Sequence, residues 1–212
     1  MRKLILLVAG KIKSSILKIE SLNNLVKRRI LIDWISKGKL IPPPHIYKEM
    51  IVDQYRKKYS LQTLIETGTY NGEMIDEMKK KFNKIISIEI GKSLYDIAVK
   101  KFKKNKNVTL ICGDSGKIIK DIMIEISKPC LFWLDGHFSG LGTSKGELTT
   151  PILEELDSIL NHHCNHIVLI DDARLFNGED DYPNLNRLKQ YVFKKNKKYK
   201  FKVENDIIRL YC

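Results

Sequence analysis

Long apolar segments are absent from this chain, and this absence excludes whole classes of protein. None of its hydrophobic runs approaches the roughly 20 residues that a helix needs to cross a bilayer. The best candidate for a signal-peptide core, residues 4–9, runs at once into Lys11 and Lys13, so we expect no signal peptide. Twelve glycines and six prolines are too few for a collagen or a long flexible linker. The 212 residues predict one full globular domain with a short extension.

Cysteine is scarce, and its spacing carries no motif. The four cysteines, Cys112, Cys130, Cys164 and Cys212, form no Cys-x-x-Cys pair of the kind that marks zinc and redox sites. Without a secretory signal, such cysteines are typical of reduced thiols in a cytoplasmic protein. We therefore expect a cytoplasmic location.

Arginine is scarce as well, although the chain is strongly basic. Lysine and arginine together number 38 against 25 acidic residues, a net charge of +13, but only seven of the 38 are arginines. A basic surface attracts phosphate, nucleic acid or anionic lipid. Arginine, however, is the residue that reads guanine through paired hydrogen bonds. The pattern predicts diffuse attraction, and an ordinary solvated lysine-rich face explains it equally well.

The chain alternates short apolar strands with amphipathic helices after a basic, helical N-terminal extension at residues 1–60. Three prolines at 42–44 interrupt that extension, because proline does not fit inside a helix. Strands alternating with helices predict parallel pairing in one sheet, and almost wholly apolar strands predict that both faces are buried. The strands are predicted at 61–66, 84–90, 108–112, 130–134 and 166–170.

The C-terminal part departs from this alternation. Two further strands, at 199–204 and 207–211, are separated only by Asn205 and Asp206, which is the spacing of a hairpin. The predicted fold is therefore a Rossmann-like, doubly wound, mostly parallel seven-stranded sheet with an antiparallel C-terminal hairpin. It occupies residues 61–212.

A glycine-containing turn follows the first strand, where ligands of open α/β sheets bind. It spans residues 66–72 and contains Gly68 and Gly72, but it matches neither the dinucleotide fingerprint nor a P-loop. Glu66, just before the turn, would repel a pyrophosphate. A carboxylate there suits a cationic ligand, such as an amino group or a sulfonium.

Each of the next strands also delivers an acid to this edge. Glu89 stands 23 residues after Glu66, where a carboxylate can accept both ribose hydroxyls. Asp114 is placed to accept a hydrogen bond from an adenine amino group. Asp135 follows the fourth strand, and Asp171 and Asp172 follow the fifth. Any one of these acids could instead be a solvated or helix-capping carboxylate, but all five strands share the pattern.

These residues resemble a class I S-adenosylmethionine-dependent methyltransferase over residues 60–212. Segments 132–140, 150–156 and 170–174 are more particularly similar to O-methyltransferases of the macrocin type and to those found with polysaccharide biosynthesis. The resemblance implies S-adenosylmethionine as the cofactor. It implies that the methionine part of the cofactor is held by Glu66, Thr67, Gly68 and Gly72. It further implies that Glu89 binds the ribose and that Asp114 and Ser115 flank the adenine.

A metal ion and a general base are the next candidates. Asp135, Asp171 and Asp172 are hard oxygen donors that suit Mg2+ or Ca2+ rather than zinc. In macrocin-type relatives such acids bind a magnesium ion that holds sugar hydroxyls, and a cation lowers the pKa of a hydroxyl it contacts. His137 is the candidate base, because an imidazole titrates near neutrality. Alternatively, Asp135 belongs only to a turn, Asp171 and Asp172 cap the following segment, and His137 is a histidine of a surface loop.

The leading hypothesis is O-methylation of a sugar or another small hydroxylated acceptor. A nucleic-acid methyltransferase is disfavoured, because Asp135-Gly136-His137-Phe138 stands where an Asn-Pro-Pro-Tyr type tetrapeptide would hold a flipped base. A non-catalytic protein that binds an anionic partner stays a third alternative. The basic residues 1–39 predict a membrane-surface helix, a lid, an arm of a homo-oligomer, or simple packing on the domain.

Three other segments have candidate roles. Residues 138–150 and 177–184 are predicted as loops over the site, or else as plain surface loops. Residues 162–166 read His-His-Cys-Asn-His, which are zinc-ligand types without a known zinc spacing. We expect that segment only to join a helix to the fifth strand.

Overall fold

The structure is a computed structural model that describes residues 24–136 and 149–212. His137, most of the predicted loop 138–150 and residues 1–23 of the predicted extension lie outside the described residues. The chain divides into two compact units, the first ending at Lys48 and the second running from Glu49 to Cys212. The domain boundary at residue 60 stays a prediction.

The first unit contains a helix and a buried tryptophan. Residues 24–36 are helical (α1), and a second helix, α2, covers His45–Lys58 and continues into the second unit. The Trp34 indole N–H donates to the Leu40 carbonyl at 2.7 Å, and its ring lies 4.6 Å from that of Tyr47. The prolines at 42–44 separate the two helices, as predicted.

The second unit is built on a seven-stranded sheet. Its strand order is β3-β2-β1-β4-β5-β7-β6. The first five strands are parallel, and β7 runs antiparallel to both β5 and β6. This arrangement confirms the predicted fold class. The strands are β1 Thr63–Thr67, β2 Lys84–Glu89, β3 Val108–Cys112, β4 Leu131–Leu134, β5 Ile167–Ile170, β6 Lys200–Glu204 and β7 Ile207–Tyr211.

Helices connect the parallel strands and cover the sheet. They are α3 Glu73–Met78, α4 Lys92–Phe102, α5 Ser115–Glu125, α6 Ile152–Leu160 and α7 Leu185–Lys195, with a short 3₁₀-helix at Ala173–Leu175. Helix α3 is shorter than the predicted 72–82. Its end tightens where the Lys81 N–H donates to the Met78 carbonyl three residues back, at 2.8 Å, and the chain then turns into β2.

Burial of the central strands fixes the sheet between its helices. All four residues of β4 and all four of β5 are buried, and on β4 the Phe132 side chain is fully enclosed. Each such large apolar side chain contributes about 1.5–3 kcal/mol relative to exposure. Because helices cover both faces of the sheet, a ligand can reach it at the ends of the strands. The residues at those ends therefore form the candidate site.

The C-terminal hairpin closes as predicted. Asn205 and Asp206 have φ angles of 49° and 65°. Two positive φ angles in a two-residue loop are what a type I′ turn requires, and Asn and Asp tolerate them better than most residues.

Among residues 24–136 and 149–212, the structure contains no helix with both the length and the apolarity that crossing a membrane demands.

Candidate functional site

The glycine turn passes directly against the end of β4. Gly68 has a φ of 80°, and its N–H donates to the Ile88 carbonyl at 2.9 Å. A Cβ atom at this position would collide with the backbone carbonyl of Asp135. The turn therefore needs glycine twice over, for its left-handed backbone and for the close approach of two chain segments.

Glu89, at the end of the neighbouring strand β2, holds this turn through hydrogen bonds. The residue is 4% exposed, and its carboxylate accepts the backbone N–H groups of Tyr70 and Gly91, one on each oxygen and both at 2.8 Å. An ionised carboxylate has about four acceptor positions. Two of them remain after these bonds, so Glu89 can hold the turn and also accept hydroxyl donors from a ligand.

Glu66 lies within the sheet, beneath the turn. Strand β1 extends through Thr67, one residue further than predicted, and Glu66 is only 2% exposed. The Ser87 hydroxyl donates to its carboxylate at 2.5 Å, and the Thr69 hydroxyl lies 2.6 Å from Ser87 Oγ. Burial, aided by the nearby charge of Glu89, raises the pKa of Glu66 to about 8, although the Ser87 hydrogen bond opposes this rise.

A second buried carboxylate, Glu155 on α6, joins the other elements of the site. The Ser115 hydroxyl donates to it at 2.6 Å, and the Thr67 hydroxyl also hydrogen-bonds to it. Burial raises the pKa of Glu155 to about 7, while these two hydrogen bonds lower it. Thr67 Oγ1 in turn accepts the N–H groups of Asp135 and Gly136 at 3.3 and 3.2 Å. One carboxylate thus connects α6, α5, β1 and the end of β4.

Sequence reasoning assigned no role to Glu155, although a signal was present. Helix α6 buries Ile152, Glu155, Leu156 and Ile159, which share one face at helical spacing. A charged residue in such an apolar stripe is rare unless it has a specific partner. The partners, Ser115 and Thr67, are far from it in the sequence.

Asp114 and Ser115, the residues predicted to flank the adenine, are both engaged in hydrogen bonds within the protein. Asp114 caps α5, and its carboxylate accepts the Gly116 N–H at 3.0 Å. Capping was the alternative interpretation of this acid. The Ser115 hydroxyl is directed to Glu155. Their roles toward a cofactor stay predictions.

The three predicted metal ligands lie at the ends of the adjacent strands β4 and β5, but each is held differently. The Asp171 carboxylate accepts the Asp172 N–H at 2.9 Å. Asp172 accepts a 2.6 Å hydrogen bond from the Arg174 guanidinium, which also pairs with Asp206. Asp135 donates its backbone N–H to the Thr67 carbonyl at 3.1 Å.

These aspartates do not form a preassembled metal site. In the described part of the chain, the group of three candidate ligands whose donor atoms lie within 4.8 Å of one another is His162, His163 and Cys164, elsewhere in the fold. Arg174 moreover competes with a cation for Asp172. The magnesium site stays a prediction, in which the ion would share Asp172 with Arg174 or displace it.

Tyr182 brings a buried hydroxyl to this end of the sheet. Its ring packs edge-on against Phe176 with centroids 5.2 Å apart, and it lines a narrow cavity with Gly136, Glu155 and Asp171. Burial and the nearby charges of Asp172 and Asp135 raise the Tyr182 pKa above its usual value. Sequence reasoning predicted loop 177–184 near the acceptor but did not single out this residue.

Gly68 provides a test of the close approach between the turn and β4. We expect Gly68→Ala to lower the free energy of unfolding more than Gly178→Ala does. Gly178 also has a positive φ, 97°, but its Cβ would make only ordinary contacts of 3.7 Å. The control should lose about 1–2 kcal/mol from backbone strain alone. Urea unfolding measures both, and equal losses would mean that the approach to Asp135 imposes no constraint.

The buried Glu66 predicts a pH dependence of stability. Its pKa in the folded protein is about 8 against an ordinary value of 4.5, so its stabilising contribution is complete below pH 4.5 and is lost as the pH rises to about 8. Glu66→Gln keeps the shape of the neutral side chain and removes the titration. We expect the wild type to lose stability relative to Glu66→Gln across this range, measured by urea unfolding.

The control for this prediction is Glu125→Gln, because Glu125 is exposed at the end of α5. Its unfolding profile should run parallel to that of the wild type. Parallel profiles for Glu66→Gln and the wild type would contradict the assigned protonation of Glu66.

Comparison with known proteins finds sequence similarity over part of the chain and structural similarity over most of it. No protein-family model matches the chain. It is 31% identical over 94 residues to ribosomal RNA small subunit methyltransferase A of Caldanaerobacter subterraneus subsp. tengcongensis. That alignment covers 44% of this chain, and the chain spans about a third, 33%, of the length of that curated relative.

Solved structures match almost the whole chain. An O-methyltransferase from Bacillus cereus in complex with S-adenosylhomocysteine superposes with a TM-score of 0.56 at 10% identity, covering 88% of this chain and 90% of that one. A Podospora anserina methyltransferase bound to S-adenosylhomocysteine gives a TM-score of 0.53 at 16% identity, covering 86% of each chain. The chain therefore has the fold of the class I S-adenosylmethionine-dependent methyltransferases.

Proposed function

We propose that this protein is an S-adenosylmethionine-dependent methyltransferase that methylates a hydroxyl group of a sugar or another small acceptor. The observation that carries the proposal is the glycine turn of β1, which is held by Glu89 at the carboxyl edge of the sheet. This edge is where open α/β sheets bind their ligands.

The distribution of charge supports a cationic ligand. The chain carries a net charge of +13, yet Glu89, Asp114 and Asp135 all lie at one edge of the sheet. S-adenosylmethionine supplies a methyl group on a positively charged sulfur and also carries an ammonium group. Clustered carboxylates in a basic protein favour such a cation over a phosphate.

Each cofactor residue has a proposed task that fits its contacts. Glu89 accepts the ribose hydroxyls with the acceptor positions that the turn leaves open. Gly68 and Gly72, both with positive φ, allow the tight turn that is proposed to hold the methionine part. Glu66 and Thr67 act from beneath the turn by holding its conformation, while Asp114 and Ser115 line the adenine side.

The acceptor side is proposed to lie at the end of β4. Asp135 stands there with the Tyr182 hydroxyl close to it, and His137 follows two residues later as the proposed base. Methyl transfer depends mainly on the alignment of donor and acceptor, so these residues act first by orienting a hydroxyl. Mg2+ bound by Asp135, Asp171 and Asp172 stays part of the proposal as an optional aid.

A small hydroxylated acceptor is favoured over a nucleic acid by two observations. Asp135 and Gly136 stand where nucleic-acid amino methyltransferases place the residues that hold a flipped base. The Bacillus cereus structure that shares the fold is described as an O-methyltransferase. A role in polysaccharide biosynthesis and a cytoplasmic location belong to the same proposal.

Methylation of ribosomal RNA is the second candidate. The net charge of +13 and the 31% identity over 94 residues with a ribosomal RNA methyltransferase favour it. The scarcity of arginine disfavours it, because RNA recognition commonly uses arginine for stacking on bases and for paired hydrogen bonds.

Calorimetric titration with S-adenosylhomocysteine tests the cofactor assignment. We expect micromolar binding by the wild type and an affinity about tenfold or more lower in Glu89→Gln, because a hydrogen bond to a charged group contributes about 1.5–3 kcal/mol. Glu125→Gln should bind like the wild type. Repeating the titration with and without magnesium tests the optional metal. A folded wild type that does not bind would refute the proposed function.

A methyl-transfer assay separates the two candidate acceptors. We expect labelled S-adenosylmethionine to methylate members of a panel of sugars and glycosides, and Asp135→Asn to lose this activity while it still binds S-adenosylhomocysteine. Total RNA, offered in parallel, should stay unlabelled. If RNA is labelled and the sugars are not, the result would contradict O-methylation of a small acceptor and support methylation of ribosomal RNA.

A further inference from the structure

A group of soft metal ligands lies at the opposite edge of the sheet from the methyltransferase site. His162, His163 and Cys164 each offer one ligand atom, and these atoms lie within 4.8 Å of one another. The three residues form the turn that follows α6 and precedes β5, so they lie near the amino end of a parallel strand. Nothing in the proposed methyl-transfer reaction uses them.

Two imidazole rings of this turn lie close together, and its backbone hydrogen-bonds to one of them. The imidazole rings of His162 and His163 have centroids 4.1 Å apart. The Cys164 N–H donates to His162 Nδ1 at 3.3 Å. His163 is exposed, while His162 and Cys164 are half-buried, so an ion can reach the group from solvent.

Neighbouring hydrogen bonds determine which nitrogen of His162 carries a lone pair. His166 Nδ1 accepts the Cys130 N–H at 3.0 Å, so in the neutral ring the proton is on Nε2, which lies 2.8 Å from His162 Nδ1. The Cys164 N–H, which also donates to His162 Nδ1, agrees with this assignment. His162 Nδ1 is therefore an acceptor.

The His162 ring also hydrogen-bonds to the backbone of Met123 and Ile126, at the end of α5. A histidine that binds a metal commonly makes a second hydrogen bond that orients its ring. The backbone contacts of His162 hold its ring in place.

The donor set selects the kind of ion. Two imidazole nitrogens and one sulfur suit zinc and chemically similar divalent ions, whereas magnesium and calcium require oxygen donors. Donor atoms of a tetrahedral zinc site lie roughly 3.3–3.6 Å apart, given Zn–N and Zn–S bonds of about 2.0 and 2.3 Å. From separations of up to 4.8 Å, the donor atoms need to close by at most about 1.2–1.5 Å.

We propose that His162, His163 and Cys164 bind one zinc-type divalent ion, with a water molecule in the fourth position. Cys164 binds as a thiolate, so its proton leaves to solvent and the ion loses three water ligands. The ion also takes the Nδ1 lone pair of His162, which now accepts from the His166 Nε2–H and the Cys164 N–H. Because both hydrogen bonds are given up, we expect reversible binding rather than the very tight binding of a closed structural site.

Cobalt titration tests this proposal directly. Co2+ bound to a thiolate gives a near-ultraviolet charge-transfer band, and tetrahedral coordination gives intense visible bands, both of which zinc abolishes by displacement. With a phosphine reductant present, we expect one equivalent of Co2+ per wild-type chain. Cys164→Ser should lose the charge-transfer band. His163→Ala should bind at least about tenfold more weakly, since even outer-shell changes cost roughly 10–100-fold in affinity.

Cys112→Ser is the matched control, because Cys112 is an exposed cysteine at the end of β3, on the other edge of the sheet. It should titrate like the wild type. Zinc should raise the melting temperature of the wild type and of Cys112→Ser but not that of Cys164→Ser, because binding to the folded state stabilises it.

Two results would overturn the proposal. The first is a folded wild type that shows no thiolate charge-transfer band, and the second is a band and an affinity that both persist in Cys164→Ser and His163→Ala. His163 is exposed on a turn, so His163→Ala keeps the test valid if Cys164→Ser fails to fold. Circular dichroism spectra establish folding for each variant.

Discussion

A carboxylate that is buried must be satisfied by hydrogen bonds, and the site depends on how Glu155 meets this requirement. It engages the hydroxyls of Ser115 and Thr67, which belong to α5 and β1. Thr67 then still accepts the N–H groups of Asp135 and Gly136 at the end of β4. A buried polar group without partners costs about 1–3 kcal/mol or more. Moving one of these elements would break hydrogen bonds of this network, so the network fixes their relative positions.

The two edges of the sheet carry different chemistry. Carboxyl oxygens gather at the carboxyl edge, where Glu66, Glu89 and Asp135 lie, and this suits the proposed cationic ligand. Imidazole and thiol groups gather at the other edge, where His162 and Cys164 lie, and this favours a softer ion. Under the two proposals, ligands of different class bind one small sheet without competing for the same residues.

The fold was predictable because burial leaves a periodic trace in the sequence. Strands β3 and β7 were predicted at their observed bounds, and the other strands lie within two residues of the prediction at each end. The hairpin was visible from the two-residue spacing of Asn205 and Asp206. Helix α3 was predicted too long, because spacing of apolar residues does not show where a last turn tightens.

The candidate site was predictable only in outline. By itself the sequence determined the order of strands and helices, and with it the acids that reach the carboxyl edge, because these follow from local periodicity and the rules of parallel sheets. Only the tertiary structure decided what each acid does. It buries Glu66, closes Glu89 on the turn, pairs Asp172 with Arg174 and makes Glu155 a central partner. The reason is that these partners lie far apart in the chain, and hydrogen bonds between distant residues leave no local pattern.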